Sequence, residues 1–548
     1  MNKNKYLLLA SSLGTLLLLI VAAGQENFAK SWRRLQVEGR AGDEAISVQL
    51  RQITNNNLRI ADRCVTCHVS MAPGEKDVTG AKLFTPHKPV IHDPADYGCT
   101  ICHGGQGFAT EKEDAHGDVD FWPEPMIPAR YSPAGCGTCH SPARIPTREV
   151  FLKSQAVFER LDCRACHRVD NRGGTTRPGG RGGMEGPDLS KAGIAGYDKD
   201  WYQKHLAKLE KADKGPWKDA FAPVNEQDRA DVATYLSTRM AAPALLEAKS
   251  AFHSFGCLGC HRVSGVGGDE GPDLTRAGEK DPGQVDLSHV PGKPELANWF
   301  VEHFRSPVSV VATSQMPPVS ASQPEIELLT LYVYSLRRRD VPGSYLPKDR
   351  VLVTRFGMRE FAGDGATIFG AFCAGCHGRE GQGRNVPGGM TFPSIANPDF
   401  LTLVSDRFLR ETIGKGRPGR RMPGWAKEGG LRPEEIDAVI AHLRSLGGGP
   451  SAIDDGWMVS AEPVTGEHLY AANCSGCHGA KGEGNKGPAL GNLAFLELAS
   501  DKFLMETVSR GRKGTAMPGF VEATPTHRAL AKSEIESIVA YVRAWQGR

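Results

Sequence analysis

The chain is 548 residues long, with 40% hydrophobic and 24% charged residues, a globular composition that excludes bulk disorder and points to roughly three to five domains. Its formal charge of +3 is too small to mark the chain as a nucleic-acid binder. With 64 Gly and 36 Pro much of the chain must be loop, and the Arg/Gly stretch at 172–183 reads as a loop of that kind.

Lys3 and Lys5 open an apolar run from Tyr6 to Ala23, and Lys30, Arg33 and Arg34 follow it. These eighteen residues would form a helix of ~27 Å, just enough to cross the hydrocarbon of a bilayer. A secretory signal shares this charge pattern, and Val21-Ala22-Ala23 before Gly24 would suit a signal peptidase. The run is long for a signal core, which favours an uncleaved anchor over residues 1–23. On either reading the remainder is exported, to the periplasmic side of the bacterial inner membrane.

An exported chain can use its 14 cysteines in disulfides, but their order points elsewhere. They form seven C-x-x-C pairs, each followed directly by His: Cys64/Cys67 with His68, Cys99/Cys102 with His103, Cys136/Cys139 with His140, Cys163/Cys166 with His167, Cys257/Cys260 with His261, Cys373/Cys376 with His377, and Cys474/Cys477 with His478. C-x-x-C-H is the attachment sequence of c-type haem: two thiols form thioethers and the adjacent His binds iron. Zinc knuckles give no reason for a His after every pair. No thiol is left for an iron–sulfur cluster, a Rieske centre or a copper thiolate. Seven covalently attached haem c groups would add fourteen propionates and take the reduced protein from +3 to near −11.

Residues 24–145 form a three-haem module, with three motifs packed into 60–145 and too little chain for a conventional core. Apart from the motif histidines this stretch contains His87, His92 and His116, three spare imidazoles for three irons. That match predicts bis-His ligation throughout, with the pairing left open.

Residues 146–548 then repeat, with predicted domains at 146–242, 243–340, 355–447 and 455–548. Each opens on a helix carrying an aromatic before its motif: Phe158, Phe252, Phe369 and Tyr470. The first two aromatics lie five residues before the first Cys and the last two lie four before it, which divides the repeats into two pairs. The first pair shares Gly-Pro-Asp-Leu and a Trp-Tyr/Phe-x-x-His helix (Trp201 with His205, Trp299 with His303). The second pair shares Cys-x-Gly-Cys-His-Gly, a Ser-Asp-x-Phe-Leu helix start, a Gly-Lys/Arg-Gly-Arg segment and Met-Pro-Gly. A Pro-rich connection near 341–354 separates the pairs.

Over 146–548 this layout resembles the class I cytochrome c fold, and the chain as a whole is similar to multihaem c-type cytochromes. The resemblance implies a mainly α fold: a membrane anchor, the loop-rich module, then four tandem domains whose crossed first and last helices grip the haem. It also implies that a loop proline carbonyl accepts a hydrogen bond from each proximal His. That role falls to Pro187, Pro272 and Pro488, and to Pro393 where Phe392-Pro393-Ser394-Ile395 departs from Gly-Pro-x-Leu. Met316, Met422 and Met517, each followed by Pro, match the distal thioether ligand. The fourth motif lacks one, because Ala220-Phe221-Ala222 stands where its sister has Gln315-Met316-Pro317. His205, Met184 and Met240 are its remaining candidates, and an open position is the other reading.

Thioether ligation raises a haem potential, and bis-His ligation leaves it lower. A graded wire is therefore expected, running from the module beside the membrane to the His/Met domains. The architecture resembles cytochrome subunits of bc-type or alternative quinol-oxidising complexes. This implies cytochrome b and Rieske-type partners, and a soluble cytochrome or oxidase as acceptor. Two alternatives are an electron-transfer subunit of a periplasmic dehydrogenase, and a peroxidase or reductase using an open fourth haem. An electron-transfer role leaves the chain with no catalytic residues of its own.

Overall fold

The computed structural model describes residues 2–75, 77–80, 82–87, 90–174, 186–195, 197, 199–209, 223–386, 390–447, 449 and 456–547. Met184, Ala220, Phe221, Ala222 and the Arg/Gly stretch from 175 to 183 lie outside the described residues. The chain is mainly helical; every sheet among the described residues is a two-stranded antiparallel hairpin. It forms two compact units, one of Met1–Cys139, Gly278–Trp299 and Arg337–Leu346, the other of His140–Ala277, Phe300–Leu336 and Pro347–Arg548.

The first unit opens with helix Asn2–Phe28, whose apolar residues are exposed along their length; it is long and apolar enough to cross a membrane. Helix Ser31–Glu38 follows, and its buried Gln36 donates to the carbonyls of Gln49 and Thr66, tying it to the first motif. The apolar interior of this unit is sparse. One cluster holds Leu58, Ile60 and Ile101, another Val69, Val78 and Phe84. The two later stretches join it through polar contacts, including Lys293–Asp118 at 3.3 Å, Arg339–Glu124 at 3.0 Å and Asn55 to the Tyr345 hydroxyl at 2.9 Å.

In the second unit each repeat packs its first helix on its last: Arg148–Arg160 on Glu226–Ser237, Pro243–Ser254 on Gln323–Ser335, Gly365–Ile368 on Pro433–Gly447, and Pro463–Asn473 on Lys532–Arg543. The aromatic before each motif makes that crossing. Phe158 meets Tyr235 at 4.7 Å between ring centres, Phe252 meets Tyr332 at 4.6 Å, Phe369 meets His442 at 5.3 Å and Tyr470 meets Tyr541 at 5.7 Å. Each of the four leading rings is 1% exposed, so this contact is the centre of each repeat's core.

The difference between five-residue and four-residue spacing has a backbone cause. In the first pair the extra residue, Asp162 or Gly256, takes a left-handed conformation (φ 50° and 68°), and the motif restarts as a 3-10 turn. In the second pair the helix continues into the motif, through Phe369–Cys373 in one case and Pro463–Asn473 in the other.

Candidate haem-binding sites

The turn of each C-x-x-C-H brings its His back beside its own thiols. In the first motif the His68 N–H donates to the Cys64 carbonyl at 2.9 Å, and the same bond recurs at His103, His167, His261 and His478. What then fixes each imidazole is the partner of its Nδ1.

In the four repeats that partner is the expected proline. His167, His261 and His377 each lie 2.9 Å from the carbonyl oxygens of Pro187, Pro272 and Pro393 respectively, and His478 lies 2.8 Å from that of Pro488. A carbonyl only accepts, so Nδ1 carries the proton and Nε2 is left as the metal-binding nitrogen. Burial also moves His261, His377 and His478 below the usual imidazole range, against the upward pull of the proline carbonyl, which favours the neutral, ligating form. The glycine before the proline has a steric role: a Cβ on Gly186, Gly271 or Gly487 would overlap the imidazole of His167, His261 or His478. In the third repeat Phe392 replaces that glycine and sets its own ring edge-on to His377 at 6.5 Å, yet the bond to Pro393 keeps its length.

No disulfide joins any of the fourteen cysteines, and burial pushes the Cys257 and Cys373 thiols up to about 12. The second Cys of a pair also holds the Gly-Pro loop: the N–H groups of Gly186, Gly271 and Gly487 donate to the carbonyls of Cys166, Cys260 and Cys477 at 3.1, 2.8 and 2.8 Å. Twelve of the fourteen cysteines are half-buried, while in the last repeat Cys474 is buried and Cys477 exposed. Cys474 follows Tyr470 by one turn and its N–H donates to the Tyr470 carbonyl at 2.8 Å, whereas Cys477 lies a turn further on, past the helix Pro463–Asn473 that makes the crossing. Cys166 likewise closes the 3-10 turn Cys163–Ala165, beyond the end of helix Arg148–Arg160. This donor set, paired thiols beside an imidazole held in one tautomer, fits covalently attached haem.

The methionines sit on loops pinned by backbone. Gly416 and Gly511 end helices Asp406–Lys415 and Asp501–Arg510 with φ of 69°, and a Cβ on either would collide with the Met-Pro-Gly backbone. Arg417 N–H then donates to the Met422 carbonyl at 2.8 Å, and Arg512 N–H to the Met517 carbonyl at 2.9 Å. Both arginines reach back to the preceding helix, Arg417 to Thr412 Oγ1 at 2.8 Å and Arg512 to Thr507 Oγ1 at 2.7 Å. Met316, Met422 and Met517 are all half-buried. Met240 is buried, beside a small cavity it shares with Gly193, Thr238 and Asp349. His205 stacks on Trp201 with ring centres 4.8 Å apart and planes 8° from parallel.

In the first unit the spare histidines separate. His87 and His103 have ring centres 6.1 Å apart, and His87 is a neighbouring charge that lowers His103 after burial does. His116 acts in the same way on His68, and the Leu83 backbone offsets part of the lowering. His92 packs edge-on against Tyr97 at 4.7 Å, and Tyr97 lies beside Cys139. The side chains of Cys64 and Cys99 approach one another, which brings the first two motifs together.

Two carboxylates with no sequence signal complete the arrangement. Asp62, 1% exposed, accepts from the backbone N–H of Cys99 and, at 2.8 Å each, from the N–H and hydroxyl of Thr100, so it caps the helix Thr100–His103. Asp349 accepts from His140.

The comparisons with known proteins match three stretches of the chain. The family model "Cytochrome C oxidase, cbb3-type, subunit III" matches residues 361–443 and 461–542, and the model "Cytochrome c" matches residues 151–239. The cbb3-type cytochrome c oxidase subunit FixP of Bradyrhizobium diazoefficiens is 32% identical over 193 residues, 33% of this chain and 60% of that protein. The subunit CcoP of an Azospirillum species is 30% identical over 196 residues, 32% of this chain and 60% of that protein. The chain thus spans about three fifths of the length of the curated relatives it matches. A chain of the Kuenenia stuttgartiensis reducing HAO-like protein complex aligns over 33% of this chain and 94% of its own, at 21% identity and a TM-score of 0.23, too loose a match to bear on architecture.

Proposed function

We propose that this multihaem c-type cytochrome of electron transport carries seven covalently attached haems, and that it passes electrons from a membrane quinol-oxidising complex to a periplasmic carrier or terminal oxidase. The observation that carries the reading is the repeated proximal geometry, in which His167, His261, His377 and His478 each give Nδ1–H to a proline carbonyl and keep Nε2 for iron. All seven cysteine pairs are assigned to thioethers, the exposed Cys477 and half-buried Cys166 included, because each stands in an intact C-x-x-C-H. When bound, the haem supplies one-electron exchange; the chain's residues orient its ligands and set its potential.

Met316, Met422 and Met517 are assigned as the sixth ligands of the three repeats that contain them. In the module, two imidazoles sharing one metal stand about 6 Å apart, two metal–nitrogen bonds of ~2 Å plus half a ring at each end. The 6.1 Å between His87 and His103 supports that pair, and the effect of the neighbouring His116 on His68 supports a second. His92, by way of Tyr97 and Cys139, falls to the third motif. Bis-His haems then lie at the low-potential end and His/Met haems at the high-potential end.

Helix Asn2–Phe28 is assigned as the anchor, which puts the haem-bearing chain on the periplasmic side of the inner membrane. The relatives are cbb3-type oxidase subunits, which supports a membrane oxidase complex on the acceptor side; cytochrome b and Rieske-type polypeptides are the proposed donors. The fourth motif is set apart because no methionine matches its register and His205 is stacked on Trp201. It is the proposed site for any exogenous ligand.

Purification from membranes in mild detergent tests this. An intact mass carrying seven haem increments is expected, with quinol-complex or oxidase polypeptides as companions. A lower haem count overturns the first claim, and a flavin or quinoprotein subunit as sole companion moves the chain to a dehydrogenase.

A further inference from the structure

His140 differs from every other motif histidine whose Nδ1 partner is known. The others, those of the four repeats, face the neutral carbonyls of prolines. His140 Nδ1 lies 3.0 Å from Oδ1 of Asp349. The second oxygen of that carboxylate accepts the Ser141 N–H at 2.7 Å, so its two oxygens serve the motif histidine and the residue after it. Asp349 is 1% exposed, and the His140 side chain 14%.

The surroundings hold this contact in place. Asp349 sits in the first turn of helix Lys348–Thr354, inside the stretch that reads as a connection in the sequence. Downstream of His140, the buried Lys249 ammonium donates to the Pro142 carbonyl at 2.6 Å and pairs with Glu360. Arg144 and Ile145 donate to the carbonyls of Arg359 and Glu360 at 3.0 and 3.2 Å, and Ala362 returns a bond to Ile145 at 3.0 Å. Residues 140–145 and 349–362 are thus strapped side by side by main-chain bonds, and Asp349 is delivered to His140 across 209 positions of sequence.

We infer that Asp349 is a positioning residue that lowers the potential of the haem bound through His140. The inference rests on the seven-haem reading. A carboxylate that accepts from Nδ1–H makes the imidazole a stronger donor than a carbonyl does, because it draws the proton toward itself and leaves more electron density on Nε2. Its buried negative charge also favours the ferric ion, which carries one more positive charge than the ferrous ion, and little water is present to screen it. Both effects act in one direction. Among the bis-His sites of the module, the third is therefore set lowest.

Asp349→Asn tests the assignment, because it keeps the shape and removes the charge. The potentiometric titration is expected to show one wave of the seven moving upward with the other six in place. The ferric electron paramagnetic resonance spectrum should show one low-spin signal altered toward that of a neutral bis-imidazole haem. Asp349→Glu keeps the charge and is expected to leave both readouts near wild type, so it serves where the Asn variant does not fold. Haem is counted on the same samples by pyridine haemochrome. Fewer than seven haems in the wild type fails the seven-haem reading. Seven haems with no wave shifted in Asp349→Asn, or an equal shift in Asp349→Glu and Asp349→Asn, overturns the role of Asp349 alone.

Discussion

Phe408 and Phe503 occupy equivalent positions of the last two repeats and meet each other, with ring centres 5.6 Å apart and planes 32° from parallel. Around them several contacts are made twice. Phe400 meets Phe503 at 6.3 Å as Phe495 meets Phe408 at 6.4 Å. Arg417 lies over Phe408 and Phe495, both at 5.8 Å, as Arg512 lies over Phe503 and Phe400, both at 5.5 Å. Asn397 donates to the Lys513 carbonyl at 2.8 Å and Asn492 to the Pro418 carbonyl at 3.0 Å. The two repeats therefore face each other across a local two-fold, through the loops that also carry Met422 and Met517. Such self-complementary packing is the geometry of a symmetric dimer, here within one chain.

Because those rings are shared, mutations in them should couple. Phe408→Ala and Phe503→Ala are each expected to destabilise by ~3–5 kcal/mol. The double variant should cost less than the sum by ~0.5–1.5 kcal/mol. Denaturant unfolding followed at the haem band measures this, and strict additivity would deny the direct contact.

Gly487 offers a test of the proximal bond. In Gly487→Ala the new Cβ overlaps the His478 ring, so the ring or the loop must shift and the 2.8 Å bond to Pro488 lengthens. Overpacking of this kind costs ~1–3 kcal/mol. Weakening the bond also makes the imidazole a poorer donor, so the potential of that haem should rise. A variant that lost stability with its potential unmoved would assign the glycine to packing alone.

Much of this was legible in the sequence for one reason: covalent haem attachment writes its ligands contiguously, and class I repeats keep proline and methionine at fixed places. Pro187, Pro272, Pro393 and Pro488 all lie against the histidines assigned to them, including Pro393, whose flanking residues depart from the pattern. Asp62 and Asp349 could not be read in advance. Each acts through a contact made only in three dimensions, and a lone Asp in a loop carries no periodic or spacing signal. The exposure of Cys477 was hidden for the same reason, since all seven motifs look alike in one dimension and only packing separates Cys477 from Cys474. The pairing of His87, His92 and His116 was closed to sequence as well, because a match in number says nothing of which rings approach.

Acid sensitivity should arise at His253, which is 1% exposed and bonded through Nδ1 to the Ile145 carbonyl at 3.0 Å. Burial, reinforced by the Lys249 ammonium, pushes it down to about 3, and the Ile145 and Pro146 backbone and the Glu360 carboxylate offset only part of this. The folded chain therefore refuses a proton that the unfolded chain accepts near the ordinary imidazole value of ~6.5. Stability should be full above that value and fall as pH drops toward 3, by up to ~1.4 kcal/mol per pH unit from this group. His253→Asn, which can still donate to Ile145, should be less stable at neutral pH but show a shallower loss between pH ~6.5 and ~4. Urea unfolding of both proteins across that range checks the sign and the window, and parallel slopes would count against His253 as the source.

Ligand exchange at Met422 tests the proposed order of potentials. Imidazole in place of a thioether favours ferric iron, and axial ligation spans a range of ~0.8 V. Met422→His should thus lower one wave of the redox titration by a sizeable part of that range and remove the weak red absorption of one Met-ligated ferric haem. The loop should tolerate the change, because what holds it is the Arg417 N–H on the residue 422 carbonyl and the left-handed Gly416, neither of which depends on the side chain. If residue 422 binds iron, the high-potential end loses one member, and electron transfer to a high-potential acceptor should slow while reduction of the module by a low-potential donor is unchanged. Stopped-flow mixing with each partner separates the two steps, and equal slowing of both would place Met422 outside the proposed wire.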